Sequence, residues 1–174
     1  MEPLFPLGVL APMLGAATAL LEGVAQAMPR RQIAGWTYAG QSGSEALVGM
    51  TGRAAMEIDS AWLHVRRAAG MLDEAAQCRG LTGFDKARIQ ADCGYAMELL
   101  RAAGNRLMDV AGPGAFALSN PLQRIWRDLS VGTRHNALNG QLSIELYGRA
   151  ITGLPSNIAL LPDITPAPTW ARPK

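Results

Sequence analysis

Apolar residues recur at intervals of three or four positions along most of the chain. The clearest stripe runs from Leu47 to Ala76, and a second runs from Ile89 to Val110. This spacing places the apolar side chains on one face of an α-helix. Residues 6–31 are expected to form the first long helix. No segment alternates apolar and polar residues as the strands of a sheet do, so the pattern predicts an all-α chain.

Local signals mark where these helices begin and end. Thr82 and Asp85 have the spacing of an N-terminal capping pair. The run Gly112-Pro113-Gly114 is expected to end the same helix. Asn120 can cap a fourth helix that begins at Pro121, because proline suits the first helical position.

The segments together predict four long helices and one shorter helix over about 142–151. The expected fold is an all-α, up-and-down four-helix bundle with a short extra helix, formed by residues 1–153. Residues 154–174 contain five of the eleven prolines and are expected to form an extended Pro-rich tail. Three apolar residues of that tail are able to dock on the bundle: Ile158, Leu160 and Leu161.

The amino-acid composition limits the kinds of partner that the chain is expected to bind. With 174 residues the chain has the size of one domain. Only 17% of the residues are charged and 49% are hydrophobic, which is apolar for a soluble monomer. We therefore expect a homo-oligomer, a dimer or tetramer, formed through apolar helix faces. The net charge of +2 is spread along the chain, which argues against nucleic acid as a partner.

The cysteines and the N-terminus bear on location. Cys78 and Cys93 have no spacing suited to a metal site, so no metal is expected and a reduced, cytoplasmic setting fits best. The stretch Leu7–Leu21 is uncharged, but Glu2 stands where a signal peptide needs a basic residue. The stretch is also shorter than the roughly 20 residues of a membrane-spanning helix. Neither a signal peptide nor a membrane partner is predicted.

One motif resembles a known family. The run NPLQRIWRD occupies residues 120–128, and His135 follows seven residues after Asp128. This motif is similar to the C-terminal helical domain of the acyl-CoA-dehydrogenase-like flavin monooxygenases, the two-component hydroxylases. The helix pattern matches that domain from about Leu4 to Gly153. The resemblance implies a bundle of the acyl-CoA dehydrogenase C-terminal type, reduced FAD or FMN as cofactor, and a small apolar, aromatic or polyketide-like substrate in antibiotic biosynthesis or related secondary metabolism.

Two segments resemble cofactor-binding motifs of that family. Arg30-Arg31-Gln32 resembles an Arg-x-Gln-Phe-Gly motif, which implies that Arg30 and Gln32 bind the flavin dinucleotide of a neighbouring subunit. Ile33-Ala34 stands in place of Phe-Gly. The alternative is that these charges are solvated and interact with the helix dipole. Gly112 and Gly114 resemble a glycine-rich turn that lies close to the cofactor, and the alternative is an ordinary helix terminator.

His135 is the principal catalytic candidate. The resemblance implies that it lies beside the reactive edge of the flavin and positions or deprotonates a phenol-like substrate. Imidazole suits this role because it titrates near neutrality and both donates and accepts hydrogen bonds. The alternative is a polar residue near a helix end, bonded to a neighbouring carbonyl.

Asn136 stands where acyl-CoA dehydrogenases carry a glutamate base in a Tyr-Glu-Gly-Thr run. An amide cannot abstract an α-proton, so dehydrogenation of an acyl thioester is disfavoured.

The four- and three-residue steps from Arg124 through Asp128 to His135 predict that these residues share one helical face. Arg124 and Asp128 are expected to form a structural ion pair. His64 has no motif around it and is expected on a helix surface.

The resembled enzymes have an N-terminal helical domain and a β-domain before this bundle, and their flavin lies between the β-domain and the bundle. The chain is therefore expected to be a fragment, one half of a split flavoenzyme whose other domains lie in a second chain, or an independent protein without flavin. In the last case two functions remain. The bundle is a cyclase, isomerase or dehydratase that uses His135 with Arg124 or Arg134 as an anion-binding group, or it is a non-catalytic dimerising scaffold.

Overall fold

The computed structural model describes residues 4–77 and 80–165, and every regular element in these ranges is helical. The prediction of an all-α chain is confirmed. The α-helices are α1 (Leu4–Ala27), α2 (Glu45–Gln77), α3 (Gly83–Ala111), α4 (Pro121–Gly132) and α5 (Gly140–Thr152). Three of them are long. The fourth is only 12 residues long and is shorter than expected, since it ends before His135.

The central helix of the bundle is α3, which packs against each of the other four helices. Its apolar stripe is buried on several sides, whereas α2 buries a single narrow face. Burial of these large apolar side chains is the main stabilising contribution to such a fold. The largest side chains with no measurable exposure are Leu10, Leu20, Met97, Leu100, Leu107, Leu138 and Leu146.

The sequence signals for helix ends correspond to observed caps. The Thr82 hydroxyl accepts from the Asp85 N–H at 3.1 Å, and the Asp85 carboxylate accepts from the Thr82 N–H at 2.9 Å. Asn120 accepts from the Leu122 N–H at 3.0 Å at the start of α4. Each bond satisfies a donor that the first helical turn leaves unpaired.

Two helix boundaries differ from the prediction. The first helix ends at Ala27 rather than Arg31, because Pro29 disfavours helical backbone at Met28. The fifth helix begins at Gly140, because the Asn139 side chain caps it by accepting from the Leu142 N–H at 3.2 Å.

The first part of the C-terminal tail docks on the bundle. Ile164 is buried in a second apolar cluster with Phe84 and Leu146, and Ile158 and Leu161 pack against that cluster. Leu160, in contrast, is 69% exposed. The remainder of the predicted Pro-rich tail, residues 166–174, and Cys78 lie outside the described residues.

The apolar part of α1 is longer than the sequence suggested. The segment Phe5–Ala27 has a mean hydropathy of 1.6, and by length and composition alone it is able to cross a membrane. The expectation that it is too short was therefore wrong. In the bundle, Leu10, Leu14 and Leu20 of this helix are buried in the main core.

Candidate functional site

The turn that follows α4 carries the predicted catalytic residues. At the end of α4 the backbone changes from i+4 to i+3 hydrogen bonds, with the N–H groups of Arg134 and His135 donating to Val131 and Gly132. The Thr133 carbonyl, which a continuing α-helix would pair with the Ala137 N–H, instead accepts from the Arg101 guanidinium at 3.1 Å. The turn is thus fixed by α3.

A second residue of α3 holds the other side of this turn. The amide of Gln90, which is 5% exposed, donates to the Ala137 carbonyl at 2.6 Å and to the Ser143 hydroxyl at 3.1 Å. Buried amide donors that find such partners contribute to both stability and local rigidity. Gln90 and Arg101 therefore determine where His135 lies, and neither residue was identified from the sequence.

His135 is exposed, and its ring nitrogens have different roles. Nδ1 accepts a hydrogen bond from the Ala137 N–H at 3.2 Å. In a neutral imidazole this places the proton on Nε2, which is then a hydrogen-bond donor. Within the described chain no protein group is bonded to Nε2. The ring also meets Phe5 edge to face, with centroids 6.0 Å apart. His135 thus presents an N–H beside an apolar ring.

The neighbours of His135 are exposed and have distinct contacts. The Arg134 guanidinium donates to the Ser130 carbonyl at 2.6 Å, where a cation interacts favourably with the C-terminus of α4. Asn136 lines a groove of about 350 Å³, together with Gln90, Ala137, Asn139, Leu142, Ser143, Glu145, Asn157 and Ile158.

The predicted helical face that joined His135 to Arg124 and Asp128 was wrong. The helix ends at Gly132, and the tighter turn that follows removes His135 from that face. Arg124 and Asp128 do form the expected pair at 3.8 Å, but both side chains are more than half exposed. Such a pair contributes little to stability.

The predicted cofactor residues lie at the other end of α4. Gly112 ends α3 with φ of +72°, a conformation that favours glycine. A Cβ atom on Gly114 would lie 3.0 Å from Nη2 of Arg31, so the basic run and the glycine turn do approach each other. The residue that makes this approach is Arg31. Arg30 and Gln32 are exposed.

The loop between α1 and α2 is tied to the same turn. The buried Gln41 side chain donates to the Val110 carbonyl at 2.7 Å, and the Gln41 N–H donates to the Arg31 carbonyl at 2.9 Å. Gly114 in turn accepts from the Asn120 amide at 3.2 Å. The Arg31–Gly114 pair and His135 are separated by α4, whose 12 residues span about 18 Å.

His64 lies on the surface of α2 as expected, with 24% of its side chain exposed, but it belongs to an ion-pair cluster that was not predicted from the sequence. Its Nδ1 lies 2.8 Å from Oδ1 of Asp92, a carboxylate that is 4% exposed. Arg67 and Arg88 also pair with Asp92, so the cluster joins α2 to α3. The one sequence signal for it was the charged i,i+4 pair Arg88–Asp92 within a helix that is otherwise largely buried.

The thiol next to this cluster is inert. Burial and, to a smaller extent, the negative charge of Asp92 together raise the pKa of Cys93 to about 12. A thiol with such a pKa is protonated at neutral pH and is a poor nucleophile. The described residues contain no group of three or more His, Cys, Asp or Glu side chains that could hold a metal ion.

Comparisons with known proteins place this geometry in a family. Residues 7–140 match the family described as acyl-CoA dehydrogenase, C-terminal domain. XiaF from Streptomyces sp., solved in complex with FADH2 and glycerol, shares 35% identity and a TM-score of 0.84, over 91% of this chain and 42% of its own. A search of curated proteins found no match.

Other solved structures share the fold at lower identity. The HsaA monooxygenase from M. tuberculosis is 23% identical with a TM-score of 0.76, over 90% of this chain and 39% of its own. The dibenzothiophene monooxygenase TdsC from Paenibacillus sp. A11-2 is 20% identical with a TM-score of 0.74, over 94% and 42%. The chain spans about two fifths of the length of these proteins. It belongs to the acyl-CoA dehydrogenase C-terminal domain family.

Proposed function

We propose that this chain is the helical-bundle domain of a cytoplasmic, flavin-dependent monooxygenase that hydroxylates an aromatic or polyketide-like substrate in secondary metabolism. The flavin site of such an enzyme also needs an N-terminal helical domain and a β-domain, in the same polypeptide or in a second one. The observation that supports the flavin class is the 35% identity to XiaF, which was solved with FADH2, over 91% of this chain. Because XiaF is longer, this activity requires parts of the enzyme beyond the bundle.

The residues at the α3–α4 turn fit a flavin dinucleotide. Gly112 and Gly114 permit close approach of a ligand because neither carries a Cβ atom. The guanidinium of Arg31 lies beside Gly114, and Arg30 is exposed next to it, so two cations are available for a pyrophosphate. Gln32 is exposed and able to hydrogen-bond the same ligand. A pyrophosphate site favours FAD over FMN.

Reduced flavin, when bound, supplies the reaction with dioxygen that monooxygenation needs. At the other end of α4, His135 is the residue that binds the substrate. Its Nε2–H is able to donate to the oxygen of a phenol-like substrate, while Nδ1 is occupied by the Ala137 N–H. In this tautomer His135 positions the substrate oxygen and does not accept its proton. The ring of Phe5 supplies an apolar wall for an aromatic substrate.

Two further residues extend this site. Asn136 lines the adjacent groove of about 350 Å³, a volume at the lower end of those typical for small-molecule sites. Its amide is suited to a polar substituent of the substrate. Arg134 is exposed, and it is available for a substrate carboxylate or enolate if the guanidinium leaves the Ser130 carbonyl.

The two candidate clusters lie beyond opposite ends of α4, whose 12 residues span about 18 Å. One flavin that contacts both is more easily accommodated between two copies, with Arg31 and Gly114 of one copy holding the dinucleotide and His135 of the other at the ring system. The proposal therefore includes a homo-oligomer.

A face of α2 supports pairing of two copies. Met56, Trp62 and Leu63 are all exposed, with Asp59 and Arg66 on the same face, around a depression of about 560 Å³. In an antiparallel α2–α2 pair related by a twofold axis between Trp62 and Leu63, Asp59 of each copy faces Arg66 of the other. The face is therefore complementary to itself in charge as well as apolar at its centre.

The flavin proposal is tested by titrating the purified chain with FAD and following flavin fluorescence. We expect saturable binding that weakens at least tenfold in an Arg31→Met variant, with riboflavin, which lacks the pyrophosphate, binding more weakly than FAD. The matched control is Arg149→Met, because Arg149 is a partly exposed arginine of α5 that belongs to neither candidate cluster. Absence of saturable FAD binding, or equal binding by Arg31→Met, would contradict the proposed role of this chain.

A further inference from the structure

A polar cluster on the opposite surface of α3 is unrelated to the His135 turn. Its centre is Asp92, whose side chain is 4% exposed. A buried carboxylate is strongly disfavoured unless cations compensate it. Here Arg67 binds both carboxylate oxygens, with Nε donating to Oδ2 at 2.8 Å and Nη2 to Oδ1. Nε of Arg88 lies 3.4 Å from Oδ1.

The cluster carries more positive than negative charge. Arg67 and Arg88 bring two cations against the single charge of Asp92, and His64 adds no negative charge. A stabilising ion pair needs only one guanidinium, so the second leaves an excess of +1. No other acidic side chain lines the same pocket among the described residues. Asp92 is thus the one acidic residue in the described pocket lining that faces the two guanidinium groups.

Both guanidinium groups retain unused donors. Arg67 uses Nε and Nη2 in its contacts with Asp92, and Arg88 uses Nη1 to donate to the Tyr147 hydroxyl at 2.6 Å. For the part of the chain that the structure describes, Nη1 of Arg67 and Nη2 of Arg88 have no protein acceptor. Two guanidinium groups with free N–H donors form a good receptor for a carboxylate.

The pocket beside these donors is small and partly apolar. It has a volume of about 180 Å³ and is lined by His64, Arg67, Arg88, Ala91, Asp92, Tyr95, Ile144 and Tyr147. The ring of Tyr95, which is 40% exposed, and the side chain of Ile144, also 40% exposed, form apolar walls. Arg88 stacks over the Tyr147 ring at 4.8 Å, which orients its guanidinium.

We propose that this pocket between α2, α3 and α5 binds a small aromatic carboxylate, which pairs with Arg67 and Arg88 while its ring packs on Tyr95 and Ile144. A monoanion matches the excess charge of +1. The volume lies below the roughly 300 Å³ at which sites for larger ligands begin, so the ligand is about as large as a single substituted ring. The site shares no residue with the flavin proposal and does not depend on it.

Calorimetric titration with benzoate as the probe tests the assignment. We expect saturable binding of benzoate, and at least tenfold weaker binding of benzamide, which has the same shape without the charge. Inorganic phosphate is also expected to bind at least tenfold more weakly, because it cannot use the apolar walls. Equal affinity for benzamide or phosphate would overturn the assignment of an aromatic carboxylate, and no saturable binding of benzoate would overturn the site.

Variants of the pocket residues test where benzoate binds. Arg88→Met is expected to weaken benzoate binding at least tenfold, and Arg124→Met is expected to leave it unchanged. Because Arg88 also contacts Asp92, a second variant avoids disturbing the ion pairs. Ile144→Glu places a negative charge at the pocket wall and is expected to abolish binding. Val48→Glu, at an exposed apolar position of α2 that lines neither groove, serves as its control. Full benzoate affinity in both Arg88→Met and Ile144→Glu would contradict the proposal.

Discussion

The backbone N–H of Ala137 donates to Nδ1 of His135 over 3.2 Å, at the point where α4 has ended and its helical acceptor has been taken by Arg101. In a continuing helix that N–H would bond to the Thr133 carbonyl. The side chain of His135 replaces this lost acceptor. This bond gives the Ala137 N–H an acceptor, and it also sets the tautomer of the candidate catalytic residue.

The chain has two histidines, and they are expected to adopt opposite tautomers. His135 is expected to carry its neutral-state proton on Nε2. Nδ1 of His64 lies 2.8 Å from the Asp92 carboxylate and 2.9 Å from Nη2 of Arg67. Because the closer partner, the carboxylate, only accepts, His64 is expected to carry its proton on Nδ1. Nitrogen-15 NMR of the imidazoles at pH 8 distinguishes the two forms. The same tautomer for both residues would contradict one of the two hydrogen-bond assignments, and the His64→Gln spectrum identifies which signal remains.

Replacement by alanine is expected to change the free energy of unfolding in opposite directions at two helical glycines. A Cβ on Gly94 would overlap Ser143 of α5, so Gly94→Ala is expected to destabilise the fold by about 1–3 kcal/mol. Gly49 in α2 has open space around it, so Gly49→Ala is expected to stabilise by up to about 1 kcal/mol. Urea denaturation measures both. Equal effects would show that α3 and α5 do not pack as closely as described.

Charge exchange tests the proposed α2–α2 pair. Asp59→Arg places two arginines opposite each other across the twofold axis, and Arg66→Asp places two aspartates there, so each single variant is expected to weaken self-association. The double variant Asp59→Arg/Arg66→Asp restores opposite charges and is expected to recover the wild-type state. Analytical ultracentrifugation measures the result. Failure of the double variant to recover, with both singles dissociated, would refute this particular pairing.

The raised pKa of Cys93 predicts a pH dependence of stability. The unfolded thiol has a pKa near 9.0, whereas burial holds the folded thiol near 12. Between these values the unfolded state releases a proton that the folded state keeps. The free energy of unfolding therefore falls as pH rises above 9, by up to about 1.4 kcal/mol per pH unit. This stability is fully present below pH 9.

The comparison uses a Cys78→Ser background with and without Cys93→Ala. Urea denaturation at pH 8 and at pH 10.5 is expected to show a larger loss of stability in the protein that retains Cys93. In the native state at pH 8 the Cys93 thiol is also expected to resist a thiol reagent that labels it rapidly in urea. Rapid native labelling, or equal pH dependence in the two proteins, would contradict the burial of this thiol.

Signals confined to a few neighbouring residues were sufficient to predict the starts of α3 and α4. Thr82 with Asp85, and Asn120 with Pro121, act within one helical turn, so the sequence alone specifies them. The end of α4 was missed because its cause is tertiary. The Arg101 guanidinium, 32 positions before Thr133, takes the carbonyl that would have extended the helix.

In the candidate site, too, local signals were found from the sequence and contacts between helices were missed. The motif around His135 identified that residue, but its tautomer depends on a turn that Gln90 and Arg101 hold from another helix. The cluster of His64 and Asp92 joins residues 28 positions apart on two helices. The spacing of apolar residues along each helix does not indicate such a contact. Arg31 rather than Arg30 approaches Gly114, because the helix that was expected to reach Arg31 ends at Ala27.

The central claim is that both ends of α4 contribute to flavin sites, with the glycine turn of one copy and His135 of another around the same flavin. Amide NMR during an FAD titration tests it most directly. The account predicts that shift changes concentrate at Gly112 and Gly114 at one end and at His135 and Ala137 at the other. Arg31→Met is expected to remove the first set. Changes confined to other surfaces, or no changes at saturating FAD, would contradict the account.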